Sequence, residues 1–177
     1  VYRDGCRDGV LLEKNSKKKK RCEGHPGEVQ KRPKSIPADI VRFKNGTEDW
    51  IAFVGLQDGR PYEVFTGKME DAMYIPPKIK KGFIIKVREE DGTKRYDFQY
   101  TDRYGYTNTI GGISRLFNEE FWNYAKLISG VLRHGMPIEK TVSLIESLHL
   151  DSESINTWKT GVCRALKQYI VDGTKSK

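Results

Sequence analysis

The sequence has few cysteines, and they are too widely separated to build a disulfide framework or a zinc site. Cys6, Cys22 and Cys163 form no C-x-x-C pair, and the three histidines are equally scattered. Because a structural zinc site needs four nitrogen or sulfur ligands, we expect reduced thiols and no metal site. Arg3 and Arg7 flank Cys6, but without a neighbouring histidine or second cysteine it is interpreted as an incidental thiol.

Long apolar runs are also missing. No stretch is long enough to span a bilayer, and the first residues do not have the charged and apolar regions of a signal peptide. We therefore expect a cytoplasmic protein without a membrane partner. The sequence begins at Val1 rather than Met, within an apolar strand pattern, which predicts a piece of a larger protein.

The common catalytic motifs are absent as well, among them the P-loop, the nucleophile elbow and the H-E-x-x-H helix. Gly111-Gly112 comes nearest to a phosphate-binding loop, but a sheet-to-helix turn is favoured because glycine is the default turn residue. Arg60 could bind an anion from the turn Asp58–Glu63, where a plain hairpin with an exposed ion pair is the commoner arrangement. Glu119 and Glu120 are helix neighbours and do not face each other. No catalytic residue is predicted.

Positive charge is in excess, but one segment carries nearly all of it. The formal net charge is +8, and residues 14–34 hold nine positive and two negative residues, a net +7. Lys17–Arg21 is the densest part and lacks the interleaved aromatic residues that stack on bases. A solvated linker is therefore favoured, and a standalone nucleic-acid-binding or protein-interaction module that uses Lys17–Arg21 stays open as the alternative function.

Composition divides the chain into four parts. Residues 1–12 combine a short strand with turn residues, which predicts the remnant of an upstream domain. Residues 13–38 contain almost nothing apolar and predict a basic flexible linker. Residues 39–173 predict the folded domain, and residues 174–177 a tail.

Within the predicted domain, the apolar period changes from two to about 3.6 after Gly111-Gly112. The strands are expected at Asp39–Lys44, Trp50–Leu56, Tyr62–Phe65, Phe83–Arg88 and Lys94–Thr101, as an antiparallel meander. Three helices should start near Asn118, Pro137 and Ser152, the last of them reaching about Val171. The run Trp50–Leu56 is apolar on both faces and predicts a central strand covered on both sides. The fold class is therefore α+β: an antiparallel sheet of about five strands followed by about three helices packed on one face.

Several blocks of the sequence resemble one enzyme family. Val1–Leu11 reads VYRDGCRDGVL and resembles the last barrel strand and exit turn of adenosylcobalamin-dependent (class II) ribonucleotide reductases. Lys31–Lys34, Val54–Phe65 and Ala125–Ile138 resemble, in this order, the TSCPD-type C-terminal domain of those enzymes. The resemblance covers nearly the whole chain.

The resemblance implies the reduction of ribonucleoside diphosphates or triphosphates to deoxyribonucleotides. A thiyl radical starts that reaction, and homolysis of the cobalt–carbon bond generates it. The family's active-site cysteines, radical-transferring cysteine, catalytic carboxylate and asparagine lie upstream of Val1, so none maps here, and Tyr2 receives no catalytic role. We therefore expect an accessory C-terminal portion that is inactive alone and serves assembly or the transfer of reducing equivalents.

The cofactors and partners follow from the same resemblance. Adenosylcobalamin is implied in the parent enzyme, upstream of this chain, and none is expected on the chain itself. Many family members carry a cysteine-rich tail beyond a stretch like Val171–Thr174, which implies zinc after Lys177. The implied partners are the catalytic barrel of the parent chain, the ribonucleotide through that barrel, and a thioredoxin-type reductant; nucleic acid is not expected.

Overall fold

Six strands and four helices make up the part of the chain that the computed structural model describes, residues 31–69 and 73–170. The strands are β1 Ser35–Asn45, β2 Glu48–Gln57, β3 Arg60–Lys68, β4 Lys81–Arg88, β5 Lys94–Thr101 and β6 Thr107–Ile110. The helices are α1 Ile113–Leu116, α2 Glu119–Arg133, α3 Ile138–Glu146 and α4 Glu153–Lys167. The predicted α+β class is confirmed, with β6 and the short α1 added to the expected elements.

The sheet is antiparallel and has the strand order β3-β2-β1-β4-β5-β6. Residues Ala38–Asn45 of β1 pair with β2, and its first residues, Ser35–Asp39, pair with β4. Two three-stranded meanders therefore meet at β1, and the single continuous meander was a wrong prediction. β1 also begins at Ser35, before the expected Asp39, because its first residues pair with a strand that lies far away in sequence.

Strand β2 is covered on both faces, as predicted. Trp50, Ala52 and Val54 enter one core, formed with α2, α3 and α4, while Ile51 and Phe53 enter a second core on the opposite face. All five side chains are fully buried. The second core forms because the sheet curls over itself, which brings Phe98 of β5 to 4.7 Å from Phe53 between ring centroids.

Two helices start where the sequence predicted, and each start is capped by a side chain. Asn118 accepts a hydrogen bond from the backbone of Glu120 at 2.9 Å, and Ser152 accepts one from Ile155 at 3.3 Å. Each hydroxyl or amide oxygen satisfies an amide that has no partner inside its own helix. Helix α4 ends at Lys167, earlier than expected. Of the helices in residues 31–69 and 73–170, none is long and apolar enough to cross a membrane.

Candidate functional site

The carboxylate of Glu63 is fully buried and lies between two arginines. Arg32 donates from Nε to Oε2 at 2.9 Å and from Nη2 to Oε1 at 2.6 Å, which makes the pair bidentate. Arg133 donates from Nη2 to Oε2 at 3.0 Å. Charge-assisted hydrogen bonds of this kind offset the cost of taking a carboxylate out of water.

A β-bulge sets the position of Glu63 in strand β3. Gly55 of β2 pairs with Glu63, whereas the next residue, Leu56, pairs with Pro61, so Tyr62 is the extra residue. A bulge of this kind turns the neighbouring side chains and is frequent beside functional sites. Here the side chains of both Tyr62 and Glu63 contact Arg133.

Both arginines also lie against aromatic rings. The guanidinium carbon of Arg32 is 5.3 Å from the ring centroid of Tyr96, and that of Arg133 is 4.9 Å from Tyr62. Arg32 donates further to the carbonyl of Pro33 at 2.6 Å, and only 4% of its side chain is exposed. The segment that enters β1 is therefore fixed to the domain through this side chain.

The arginine–glutamate cluster takes one residue from each of the three sequence blocks that resemble the reductase C-terminal domain. Lys31–Lys34 supplies Arg32, Val54–Phe65 supplies Glu63, and Ala125–Ile138 supplies Arg133. The predicted strand Tyr62–Phe65 contains Glu63, and Glu63 does lie in β3. The exposed ion pair favoured for the turn Asp58–Glu63 was wrong for this residue, because its side chain is fully buried. The blocks are far apart in sequence and meet only in the fold.

A pocket of about 380 Å³ lies beside this cluster. Its lining residues are Phe65, Lys94, Tyr96, Trp122, Ala125, Lys126, Ser129 and Arg133. One wall is aromatic: Trp122 stacks on Phe65 at 5.1 Å between centroids and 15° between planes, and Tyr96 lies 5.6 Å from Trp122. The pocket therefore combines a wall of three rings with cationic side chains.

Regular spacing brings the lining residues together. Each of the five from α2 lies three or four positions from another of them, so they share one helix face. Lys94 and Tyr96 are two positions apart and lie on the same face of β5. Phe65 comes from β3, which is separated from β5 by three strands in the sheet order. The curl of the sheet nevertheless brings Phe65 to 5.5 Å from Tyr96. The apolar stripe of α2 was predicted from the sequence, but its contact with β5 was not.

The pocket is electropositive. Lys94 and Lys126 are exposed, and among the described residues neither lies within salt-bridge distance of a carboxylate. The pKa of the nearby Lys86 is lowered, first by burial and then by the positive charges of Lys94 and Arg32. Positive charge is therefore concentrated at this surface, and an anion placed there would be attracted.

A second cavity, of about 350 Å³, contains Cys163, the one cysteine within the described residues. Lys159 and Lys167 also line it, but only 4% of Cys163 is exposed. Burial raises the pKa of its thiol to about 11. At neutral pH the group is therefore a thiol rather than a thiolate and is a poor nucleophile.

The structure also places two residues that the sequence had offered as anion sites. The amide of Gly112 donates to Oδ1 of Asp97 at 2.7 Å, so this amide serves the sheet-to-helix turn. Arg60 donates to the carbonyl of Met136 at 2.5 Å and joins the β2–β3 turn to the segment between α2 and α3. Both residues have an internal structural partner.

Several sequence predictions fall on residues outside the described ranges: the strand remnant at residues 1–12 with Tyr2 and Cys6, the basic segment Lys17–Arg21, and the tail at residues 174–177. In residues 31–69 and 73–170, no three histidine, cysteine, aspartate or glutamate side chains are grouped so that they could hold a metal ion.

Comparison with known protein families matches the chain to a domain of a reductase homologue. The family model described as the NrdJ homologue C-terminal domain matches residues 36–171, more than half of the chain. The chain belongs to this family. No curated protein and no solved structure matches it.

As a NrdJ homologue C-terminal domain, the chain is related to the C-terminal region of the class II ribonucleotide reductase NrdJ, and this part of the sequence prediction is confirmed. The matched residues include Glu63, Arg133 and the whole pocket lining, while Arg32 precedes the match. The arginine–glutamate cluster and the pocket beside it therefore lie almost entirely inside the family domain.

Proposed function

We propose that the chain is the C-terminal accessory portion of a vitamin B12-dependent ribonucleotide reductase. That enzyme makes deoxyribonucleotides from ribonucleoside diphosphates or triphosphates by thiyl-radical chemistry. The observation that carries the proposal is the family match over residues 36–171. Catalysis is assigned to a barrel encoded upstream of Val1, with residues 1–12 as its last strand, in the cytoplasm. A basic linker follows, and the TSCPD-type domain after it already includes the buried Arg32 and strand β1 from Ser35.

The chemistry of the described residues supports a centre located elsewhere. A thiyl-radical enzyme needs reactive cysteines, whereas Cys163 is buried and its thiol pKa is raised to about 11. Adenosylcobalamin supplies the radical when it is bound, and it is far larger than the 380 Å³ pocket. This pocket therefore does not fit the cofactor, and we assign adenosylcobalamin, like the zinc of a cysteine-rich tail, to parts of the parent enzyme beyond this chain.

The domain's role is assembly with the catalytic barrel, or delivery of reducing equivalents from a thioredoxin-type protein. The buried Arg32 supports the first of these, because it fixes the segment that enters the domain from the upstream side.

The genomic reading frame around the chain tests the proposal. We expect an upstream barrel with its active-site cysteines in the same frame. The isolated chain should reduce neither CDP nor CTP with adenosylcobalamin and thioredoxin, and the full reading frame should reduce one of them. A frame without a barrel, or reduction by the isolated chain, would contradict the proposal.

A further inference from the structure

The pocket beside Glu63 holds more positive charge than the described residues neutralise. Lys94, Lys126 and Arg133 line it. The neighbouring carboxylate of Glu63 is already bound by two arginines, and Lys94 and Lys126 have no carboxylate at salt-bridge distance within the described ranges. The electrostatics of the pocket therefore favour an anionic ligand.

The aromatic wall adds a second requirement. Trp122 and Tyr96 are half-buried and face the same cavity as the three cations. Lysine and arginine are the usual protein partners of phosphate, and nucleobases stack on tryptophan and tyrosine rings. A volume of about 380 Å³ is within the range of small-molecule sites. We infer that this pocket binds a nucleoside phosphate.

In this arrangement the phosphate lies among Lys94, Lys126 and Arg133, and the base lies against Trp122. Nζ of Lys126 is 5.4 Å from the Trp122 ring centroid, so binding exchanges a cation–ring contact for an ammonium–phosphate contact and a base–ring contact. The choice of a nucleoside over another aromatic phosphate rests on the proposed function. The observation that cationic and aromatic side chains line the same pocket does not depend on the proposed function.

Intrinsic tryptophan fluorescence provides the readout. Trp50 and Trp158 are fully buried, whereas Trp122 is partly exposed and lines the pocket. Titration of the 177-residue chain with ATP should therefore quench Trp122 saturably. Adenosine and tripolyphosphate, which each supply half of the ligand, should bind more weakly than ATP.

A pair of lysine substitutions locates the binding. Lys94→Gln combined with Lys126→Gln should weaken ATP binding roughly tenfold or more, because two charge-assisted contacts are lost. Lys44→Gln combined with Lys78→Gln makes the same change in charge at exposed positions outside the pocket and should leave the affinity unchanged. Thermal unfolding of both variants establishes that they are folded.

Three results would overturn the inference. One is the absence of saturable ATP binding at millimolar concentrations. Another is tripolyphosphate binding as tightly as ATP, which would indicate a site for phosphate alone. The third is an unchanged affinity in the Lys94 and Lys126 double variant, which would place ATP elsewhere, for instance on the basic residues 14–34. None of these results bears on the reading frame or the reductase assay, so the proposed function fails or stands separately.

Discussion

Gly55 and Glu63 are paired across strands β2 and β3, and the glycine provides the space that the glutamate side chain occupies. A Cβ at Gly55 would lie 2.7 Å from Cγ of Glu63 and 2.6 Å from Cδ1 of Ile36. Real Cβ contacts are not this short, so the neighbours would have to move. A glycine is needed at position 55 because any larger residue would displace the Glu63 side chain. The contacts of Glu63 with Arg32 and Arg133 therefore depend on this glycine.

We therefore expect Gly55→Ala to destabilise the domain by about 1–3 kcal/mol, the usual cost of overpacking a well-filled core. Urea denaturation followed by circular dichroism measures the change. Repeating the substitution in a Glu63→Ala background should reduce its cost, because one of the two clashing side chains is then gone. Equal costs in both backgrounds would show that the methyl group does not compete with Glu63.

Glu63→Gln should cost about 3 kcal/mol of unfolding free energy, because removal of the negative charge leaves Arg32 buried without a counter-charge. Glu48→Gln is the matched control. It makes the same change at a half-exposed ion pair with Lys68, where a smaller effect is expected. The denaturation midpoints of the two variants test this expectation. Similar small shifts in both would mean that the buried ion pair contributes no more to stability than the Glu48–Lys68 pair.

Two helical glycines should respond in opposite ways to alanine. A Cβ at Gly161 of α4 would lie 1.9 Å from Cζ of Phe43, whereas a Cβ at Gly130 of α2 would meet nothing within 4 Å. Gly161→Ala should thus destabilise the domain by about 1–3 kcal/mol, and Gly130→Ala should stabilise it by about 0.5–1 kcal/mol. Thermal melts of the pair provide the test, and stabilisation by Gly161→Ala would contradict the close packing of α4 on β1.

The environment of Tyr169 predicts that the stability of the domain depends on pH in the alkaline range. Its hydroxyl donates to Oδ2 of Asp39 at 2.5 Å, and burial, followed by this hydrogen bond, raises the pKa of the phenol. A raised pKa in the folded state gives a stabilising contribution that is complete below the ordinary phenol pKa of about 10 and declines as the pH rises above it.

Tyr169→Phe should consequently cost about 1.5–3 kcal/mol near pH 7, as expected for a hydrogen bond to a charged group. The difference in unfolding free energy between wild type and variant should shrink above about pH 10. Urea denaturation at several pH values measures it. The lysines titrate in both proteins and cancel from the difference, so a gap that is constant with pH would contradict the assignment.

Local patterns in the sequence predicted most of the elements, because they depend on neighbours along the chain. Asn118 and Ser152 begin helices as expected, and β2 has the two buried faces that its apolar run indicated. Thr107–Ile110 was missed because a strand of four residues carries too little periodicity to stand out from a turn.

The candidate site was less predictable, because it depends on contacts between distant parts of the chain. Glu63 is 31 residues from Arg32 and 70 from Arg133, and nothing in the sequence around it distinguishes a buried glutamate from an exposed one. The resemblance nevertheless singled out the three blocks that supply these residues. Their meeting point could be found only from the sheet curl and the position of α2.

Helix α2 also determines what can join the sheet at strand β3. This strand is last in the sheet order, and an outermost strand leaves every other backbone amide available to a strand from another chain. Here the amide of Val64 donates to the hydroxyl of Ser129 on α2 at 3.3 Å, and Pro61 has no amide hydrogen to offer. Two positions of this edge are thus closed from within the domain, which disfavours extension of the sheet by a strand of a neighbouring protein along this part of β3.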